Sequence, residues 1–361
     1  MNRREFISKA ALITAGVTLT GAPAVHTKKR YEWKMVMAWP EDTIVGASGI
    51  RLAKLIEKMS NGLITIKVYE ADSLVPAFEI FKAVGSDLAE MGHGSPYYWK
   101  AEHEACQFFS TVPYGLNSME MAAWIDYGGG QQLWDELYSQ FNLKPFAAGN
   151  SGVQMGGWFN KEIRTIDDFS GLKMRMPGLG GDVLTMLGAK IVNLPATKIF
   201  DALRSGAIDA TEWVSPFEDL RLGLYKVAKY YYWPGWHEPG TVFECFINKK
   251  TYSSLPNYLK EIIKSAAHAN YRDTLSQYTA KNASALMKLI SEHNVQLKRF
   301  PDLVLAELGK QSKKIVREVA ARDAFTQKVY DSFNAFRKQS VTWDQISEGG
   351  YSQSRSFILD Y

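Results

Sequence analysis

Arg175 stands at the end of Leu172-Lys173-Met174-Arg175-Met176, just before Pro177-Gly178 opens a helix. A guanidinium ending an otherwise apolar strand can hold a carboxylate through two parallel charge-assisted hydrogen bonds. The helix N-terminus that follows also favours anions. The competing reading is a structural ion pair with an Asp or Glu. Glu212-Trp213 offers an oxygen for a cation and an aromatic wall for a ligand, or else the ion-pair partner of Arg175. Gln154, within Ser151-Gly152-Val153-Gln154-Met155-Gly156, is a neutral amide that needs a polar partner if buried. Glu244 sits inside Val242-Phe243-Glu244-Cys245-Phe246-Ile247. Such a carboxylate is expensive to bury without a cation or hydrogen bonds, unless it faces solvent on an edge strand.

These charges point to a bound cation. A ligand carboxylate would balance Arg175, leaving Glu212 and Glu244 in need of positive charge. Oxygen ligands suit a hard ion, sodium with one carboxylate or calcium with two. Tyr97, Tyr98, Trp99, Trp213, Trp233 and Trp236 are candidates to line a small pocket, with Tyr98 and Trp213 foremost because they follow strand ends. Catalytic arrangements fare worse. Gly92-His93-Gly94-Ser95 joins a His to a Ser without a GxSxG elbow, and His93 reads as a turn residue at the lip of a cleft. No GxGxxG follows the first strand, and the six histidines and two cysteines, Cys106 and Cys245, show no zinc spacing. The flanking aromatics make the cysteines two buried free thiols rather than a pair.

The elements that would position these residues follow a repeated winding. Strands are predicted at Trp33 to Ala38, at Ile64, Ile66 and Val68, and at Asp87 to Gly92, with helices at Val45 to Met59 and Pro76 to Val84 between them. A second strand-helix-strand-helix-strand run covers Gly171–Met176, Gly178–Leu187, Lys190–Asn193, Thr197–Ser205 and Ala207–Glu212. Gly85-Ser86-Asp87-Leu88 and Gly206-Ala207-Ile208-Asp209 mark the same Gly turn in each. This is an α/β chain of two lobes with parallel-type sheets, a hinge and long C-terminal helices, binding ligand beyond the strand carboxyl ends. The expected divisions are a first lobe over 31–150, a second with hinge crossovers over 151–255, and a helical region over 256–361 packing on both.

Residues 1–24 read as an export signal. Arg3-Arg4 precede Phe6-Ile7, a short apolar stretch and Ala22-Pro23-Ala24, the order of a twin-arginine (Tat) leader to the periplasm. A net charge of +4 with scattered basic residues gives no nucleic-acid surface.

The chain resembles the extracytoplasmic solute receptors of tripartite ATP-independent periplasmic (TRAP) transporters over nearly all that follows the leader. The resemblance is carried by Thr165-Ile166-Asp167-Asp168-Phe169-Ser170-Gly171-Leu172-Lys173-Met174-Arg175, by Gly188-Ala189 and Pro195, and by Ala202-Leu203 ahead of Gly206-Ala207-Ile208-Asp209-Ala210. Gln154, Glu212-Trp213 and Pro234-Gly235-Trp236-His237 resemble the subgroup that binds 2-oxo acids or lactate with a metal ion. That resemblance implies Arg175 on the ligand carboxylate and Gln154, Glu212 and the Trp213 carbonyl around sodium or calcium, with Glu244 as a further ligand. It implies a membrane permease as partner and permits a homodimer through the C-terminal helix. Two other readings of the same pocket are an exported enzyme of small organic acids and a receptor that reports its ligand to a signalling partner.

Overall fold

The computed structural model describes residues 29–358, so the leader expected at 1–24 lies outside the described residues. The first winding is β1 (Tyr31–Met37), α1 (Ile44–Met59), β2 (Ile64–Tyr69), α2 (Ile80–Gly85) and β3 (Met91–Gly94). It is followed by α3 (Ser118–Tyr127), α4 (Gly130–Ser139) and β4 (Leu143–Asn150). Its local causes are plain. β1 turns Trp33, Met35 and Met37 inward against the α1 stripe of Leu52, Ala53 and Ile56. Thr43 caps α1, its hydroxyl accepting the Gly46 N–H at 3.0 Å. α2 is shorter than expected at its start and β3 begins later.

The chain then crosses over to β5 (Gly157–Phe159), β6 (Lys173–Arg175), α5 (Gly178–Met186), β7 (Lys190–Val192), α6 (Ala196–Arg204), β8 (Ala210–Thr211), α7 (Pro216–Leu222) and β9 (Tyr230–Trp233). β1, β2 and β3 lie side by side in the order β2-β1-β3, all parallel, and β6, β7 and β8 in the order β7-β6-β8, also parallel. The two windings thus share one topology.

The remaining strands make both sheets mixed. β10 (Val242–Asn248) returns to the first sheet and lies antiparallel between β3 and β4. β5 is antiparallel to β8 and β9. Residues 242–248 therefore pair with the first lobe, although the sequence suggested the second. An interior strand also has no solvent-facing edge, which removes the exposed alternative for Glu244. His93 differs likewise: it sits inside β3, fully buried, with Nδ1 2.6 Å from the Glu244 carbonyl. Burial pushes its imidazole down to about 4.

The two crossing segments are stitched to one another. Ser151 N–H donates to the Thr241 carbonyl (3.1 Å), Gln154 N–H to Glu238 (3.1 Å) and Gly235 N–H to Gln154 (3.0 Å). A Cβ on Gly235 would lie 2.2 Å from the Gln154 carbonyl oxygen, so only glycine permits this approach.

α8 (Lys249–Ser253) leads to α9 (Asn257–Ser291), 35 residues and about 52 Å long. It braces both lobes. Leu259, Ile263 and Ala267 pack into the first-lobe core, and Asn270 Nδ2 donates to the Ala148 carbonyl at 2.6 Å. Further along, Tyr278 OH donates to Glu218 at 3.1 Å and Asn282 accepts the Ser215 hydroxyl at 3.0 Å. The C-terminal region then contributes β11 (Gln296–Arg299), parallel to β9, before α10 (Asp302–Ala320), α11 (Ala324–Ile346) and α12 (Glu348–Arg355). Among the described residues no helix is long and apolar enough to cross a membrane.

Candidate functional site

Arg175 ends β6 and Glu212 follows β8, its parallel neighbour, with Arg175 in register with Thr211. Adjacent strand ends therefore deliver the two side chains to one point, and both are fully buried. Arg175 Nη1 is paired with Glu212 Oε1, and Nε donates to the Leu194 carbonyl at 3.2 Å. The pair is incomplete at both ends: among the described residues Arg175 Nη2 and Glu212 Oε2 have no hydrogen-bond partner. Trp213 lies beneath the guanidinium, whose Cζ is 5.2 Å from the indole centroid. Burial works to lower the Arg175 pKa, but Glu212, Tyr98, Tyr97 and Glu238 outweigh it, so the guanidinium stays charged.

The crossing segments bring the rest. Gln154 is buried, donates through Nε2 to Ser151 Oγ at 3.1 Å, and leaves Oε1 without a partner. His237 Nε2 lies 3.7 Å from Glu212 Oε2, and among the described residues neither of its ring nitrogens has a hydrogen-bond partner. Glu238, also buried, accepts from the Thr241 hydroxyl. One ligand atom from each of Glu212, His237 and Glu238 falls within 4.8 Å of the others. Burial pushes the Glu238 carboxyl well above the usual range and Glu212 adds to the rise, while Thr241 and Arg175 oppose it.

The first lobe closes the site. Tyr97 and Tyr98 follow β3 in a short turn, and Tyr98 OH accepts from Trp39 Nε1 at 3.4 Å. Burial raises the Tyr98 hydroxyl, and Arg175 opposes the rise. Gly178, which opens α5 at a φ of 62°, would with any Cβ meet the Tyr97 side chain, at 3.3 Å from its Cβ and 3.4 Å from its ring. Contacts between the lobes hold this arrangement: Lys100 Nζ to Asp182 at 2.8 Å, Thr197 Oγ1 to Asp72 at 3.2 Å, and the Ile44 N–H to Glu218 at 2.9 Å.

Of the residues selected in the sequence, Arg175, Glu212 and Trp213 meet here, and Gln154 arrives on the crossing segment that hydrogen-bonds to Glu238. Glu244 is elsewhere. It is buried in the first-lobe core, accepting from Trp99 Nε1 at 2.5 Å and Tyr138 OH at 3.0 Å, and burial pushes it up to about 8. Both donors reach Oε1, and burial holds a proton on the carboxyl, while among the described residues Oε2 has no hydrogen-bond partner. Glu238 is the residue the sequence reading missed, and His237 entered it only within the Pro234-Gly235-Trp236-His237 resemblance, with no role of its own. That stretch ends one residue before Glu238. Cys106 and Cys245 are both free and buried.

The donor set fits a hard cation. Two carboxylates and the His237 imidazole converge in a buried site, and Glu212 Oε2 and, on the crossing segment, Gln154 Oε1 are oxygens with no hydrogen-bond partner among the described residues. Beside Glu212, Arg175 Nη2, without a partner among the described residues, is a donor suited to an anionic oxygen.

Comparison with known proteins gives the family. The model of the DctP family, bacterial extracellular solute-binding protein family 7, matches residues 35–323. A monocarboxylate 2-oxoacid-binding periplasmic protein of Nostoc sp. is 38% identical over 364 residues, covering 99% of each chain. The crystal structure of a TRAP periplasmic solute binding protein from Pseudoalteromonas atlantica, with bound sodium and pyruvate, is 40% identical with a TM-score of 0.87 and covers 90% of this chain and 99% of its own. A counterpart from Colwellia psychrerythraea, with bound calcium and pyruvate, is 40% identical with a TM-score of 0.87, over 90% and 100%. The chain belongs to the DctP family of bacterial extracellular solute-binding proteins, and is a binding receptor rather than an enzyme.

Proposed function

We propose that this protein is the periplasmic receptor of a TRAP transporter, capturing a small 2-oxo monocarboxylate such as pyruvate, or the related 2-hydroxy acid lactate, together with a cation. Arg175 Nη2 takes the ligand carboxylate, with Trp213 and Tyr98 as walls. Glu212, Glu238, Gln154 and the Trp213 carbonyl hold the ion, which supplies positive charge between the buried carboxylates and the ligand oxygens. The observation that carries this reading is the set of buried polar atoms without a partner among the described residues: Arg175 Nη2 and Glu212 Oε2 at adjacent strand ends, and Gln154 Oε1 on the crossing segment. A closed apo protein would leave each at a cost of about 1–3 kcal/mol. A carboxylate and a cation satisfy all three. With ligand, Glu212 and Glu238 ionised, Arg175 leaves two negative charges, which calcium neutralises and sodium halves. Calcium is therefore the tighter partner.

The test is thermal melting of the mature protein against a panel of carboxylates, with and without chelator. At a hundredfold excess over its dissociation constant, a ligand adds about 2.7 kcal/mol of stability. A shift specific to 2-oxo or 2-hydroxy acids, lost on chelation, supports the proposal. Shifts for none of them would overturn it.

Two finer readings accompany it. Export follows the Tat route, by the leader at 1–24. A homodimer forms through the C-terminal helices, supported by Trp343, Ile346, Tyr351 and Phe357, large apolar side chains that are 62–81% exposed close to the chain end. Light scattering of the mature chain, against a truncation after Lys338, measures the second.

A further inference from the structure

An open cavity of about 430 Å³ shares no lining residue with the site above. It lies between α10, α11 and the loop around Tyr114. α10 packs on α5 of the second lobe, whereas α11 packs on α3 and α4 of the first. The cavity therefore sits where elements anchored to different lobes meet.

Its chemistry is two-sided. Val112, Pro113, Val316 and Phe333 form a buried apolar floor, with the rings of Tyr114 and Tyr330 beside it. Lys313, Arg317, Arg337 and Lys338 also line it, and among the described residues none of the four makes an ion pair. Neighbouring cations on α10 behave otherwise: Lys310 pairs with Glu307 and Lys314 with Glu318. Four unneutralised cations around an apolar hollow create a positive potential that an anion with a flat apolar body would match. A bare phosphate would leave the floor unused. The volume falls in the range of about 300–1,000 Å³ typical of small-molecule sites.

Tyr114 ties the cavity to the cleft. Its backbone is left-handed, with a φ of 53°. Its N–H donates to the Trp236 carbonyl at 2.9 Å, its hydroxyl to the Leu305 carbonyl at 2.7 Å, and its carbonyl accepts from Arg337 Nε at 2.9 Å. Trp236 immediately precedes His237 and Glu238.

We propose that this cavity is a second binding site, for an aromatic carboxylate, and that its occupancy is coupled through Tyr114 to binding in the cleft. The carboxylate lies among the four cations and the ring lies on Val316 and Phe333.

The probe is benzoate, titrated by calorimetry into the mature protein saturated with pyruvate and calcium, and again without them. One benzoate per chain is expected, and Arg175→Ala retains it. Lys313→Glu with Arg317→Glu weakens it about tenfold or more, the scale of a lost charge-assisted contact. Gly309→Leu blocks it with all four charges in place, since a Cβ at 309 already comes within 3.6 Å of the Tyr114 ring. Melting curves establish that both variants fold. Benzoate also changes pyruvate affinity roughly fivefold or more, with a reciprocal effect of pyruvate on benzoate. The site is overturned by absence of benzoate binding, by its loss in Arg175→Ala, or by equal binding of inorganic phosphate. It is also overturned by charge-reversal variants that alter only oligomeric state, which would assign the groove to a second copy. Benzoate binding with unchanged pyruvate affinity overturns the coupling. The pyruvate-free arm stands whether or not the cleft takes pyruvate.

Discussion

Replacing Arg175 with alanine separates its structural role from its binding role. The fully buried Arg175–Glu212 pair loses its cation, leaving Glu212 beside Glu238 with no positive charge. Breaking a buried pair in this way costs about 3–5 kcal/mol. At about 2 °C per kcal/mol for a chain of this size, the melting point falls by roughly 6–10 °C. Binding suffers separately, because the ligand carboxylate loses a desolvated charge partner worth about 2–5 kcal/mol, or thirty- to four-thousand-fold in affinity. A pyruvate concentration adding about 2.7 kcal/mol to the native protein then adds less than about 1 kcal/mol to the variant. Arg175→Met combined with Glu212→Gln removes both charges and recovers much of the stability without recovering the ligand shift. The assay is differential scanning fluorimetry of the three proteins with and without pyruvate and calcium. An Arg175→Ala protein that keeps the full pyruvate shift would refute the assignment of its guanidinium to the ligand.

Three further expectations follow from the same geometry. Glu238→Gln weakens calcium roughly tenfold or more, so that pyruvate stabilises the variant almost equally with and without chelator; a persistent chelator effect would place the ion elsewhere. Glu244, pushed up to about 8, holds a proton in the folded state that the unfolded chain loses near 4.5, so its contribution to stability declines as pH rises through that window. Glu244→Gln removes the decline, and its melting point gains on the native protein between pH 5 and 8; a difference that does not vary with pH contradicts this. Asn270→Ala strips the Ala148 and Ser48 carbonyls of their α9 donor and costs about 1–3 kcal/mol in urea unfolding, whereas a loss under about 0.5 kcal/mol would deny the brace.

The parts legible in the sequence were local. Alternation in Ile64, Ile66 and Val68, helical spacing in α1 and α9, and the matched Gly85 and Gly206 turns each report their own surroundings, and from them the two windings follow. Arg175 and Glu212 were legible because one rule, ligands beyond parallel strand ends, brings adjacent termini together. Pairings at long range were not. Nothing within Val242–Ile247 tells that this strand inserts antiparallel between β3 and β4, so the sequence does not show that Glu244 lies in the first-lobe core, where Trp99 and Tyr138, some hundred or more residues away in sequence, donate to its Oε1. Glu238 was missed for a related reason. Its segment has no periodicity, and its position depends on a close approach of Gly235 to Gln154 that only the folded crossing displays.

The central claim is that anion and cation bind as one unit between Arg175 and Glu238. Calorimetric titration of metal-stripped protein with pyruvate, repeated after addition of calcium, tests it most directly. The account predicts weak or undetectable binding without the ion, and at least about tenfold tighter one-to-one binding with it. Equal pyruvate affinity in both titrations would contradict the shared site and return Glu212 to a purely structural partnership with Arg175.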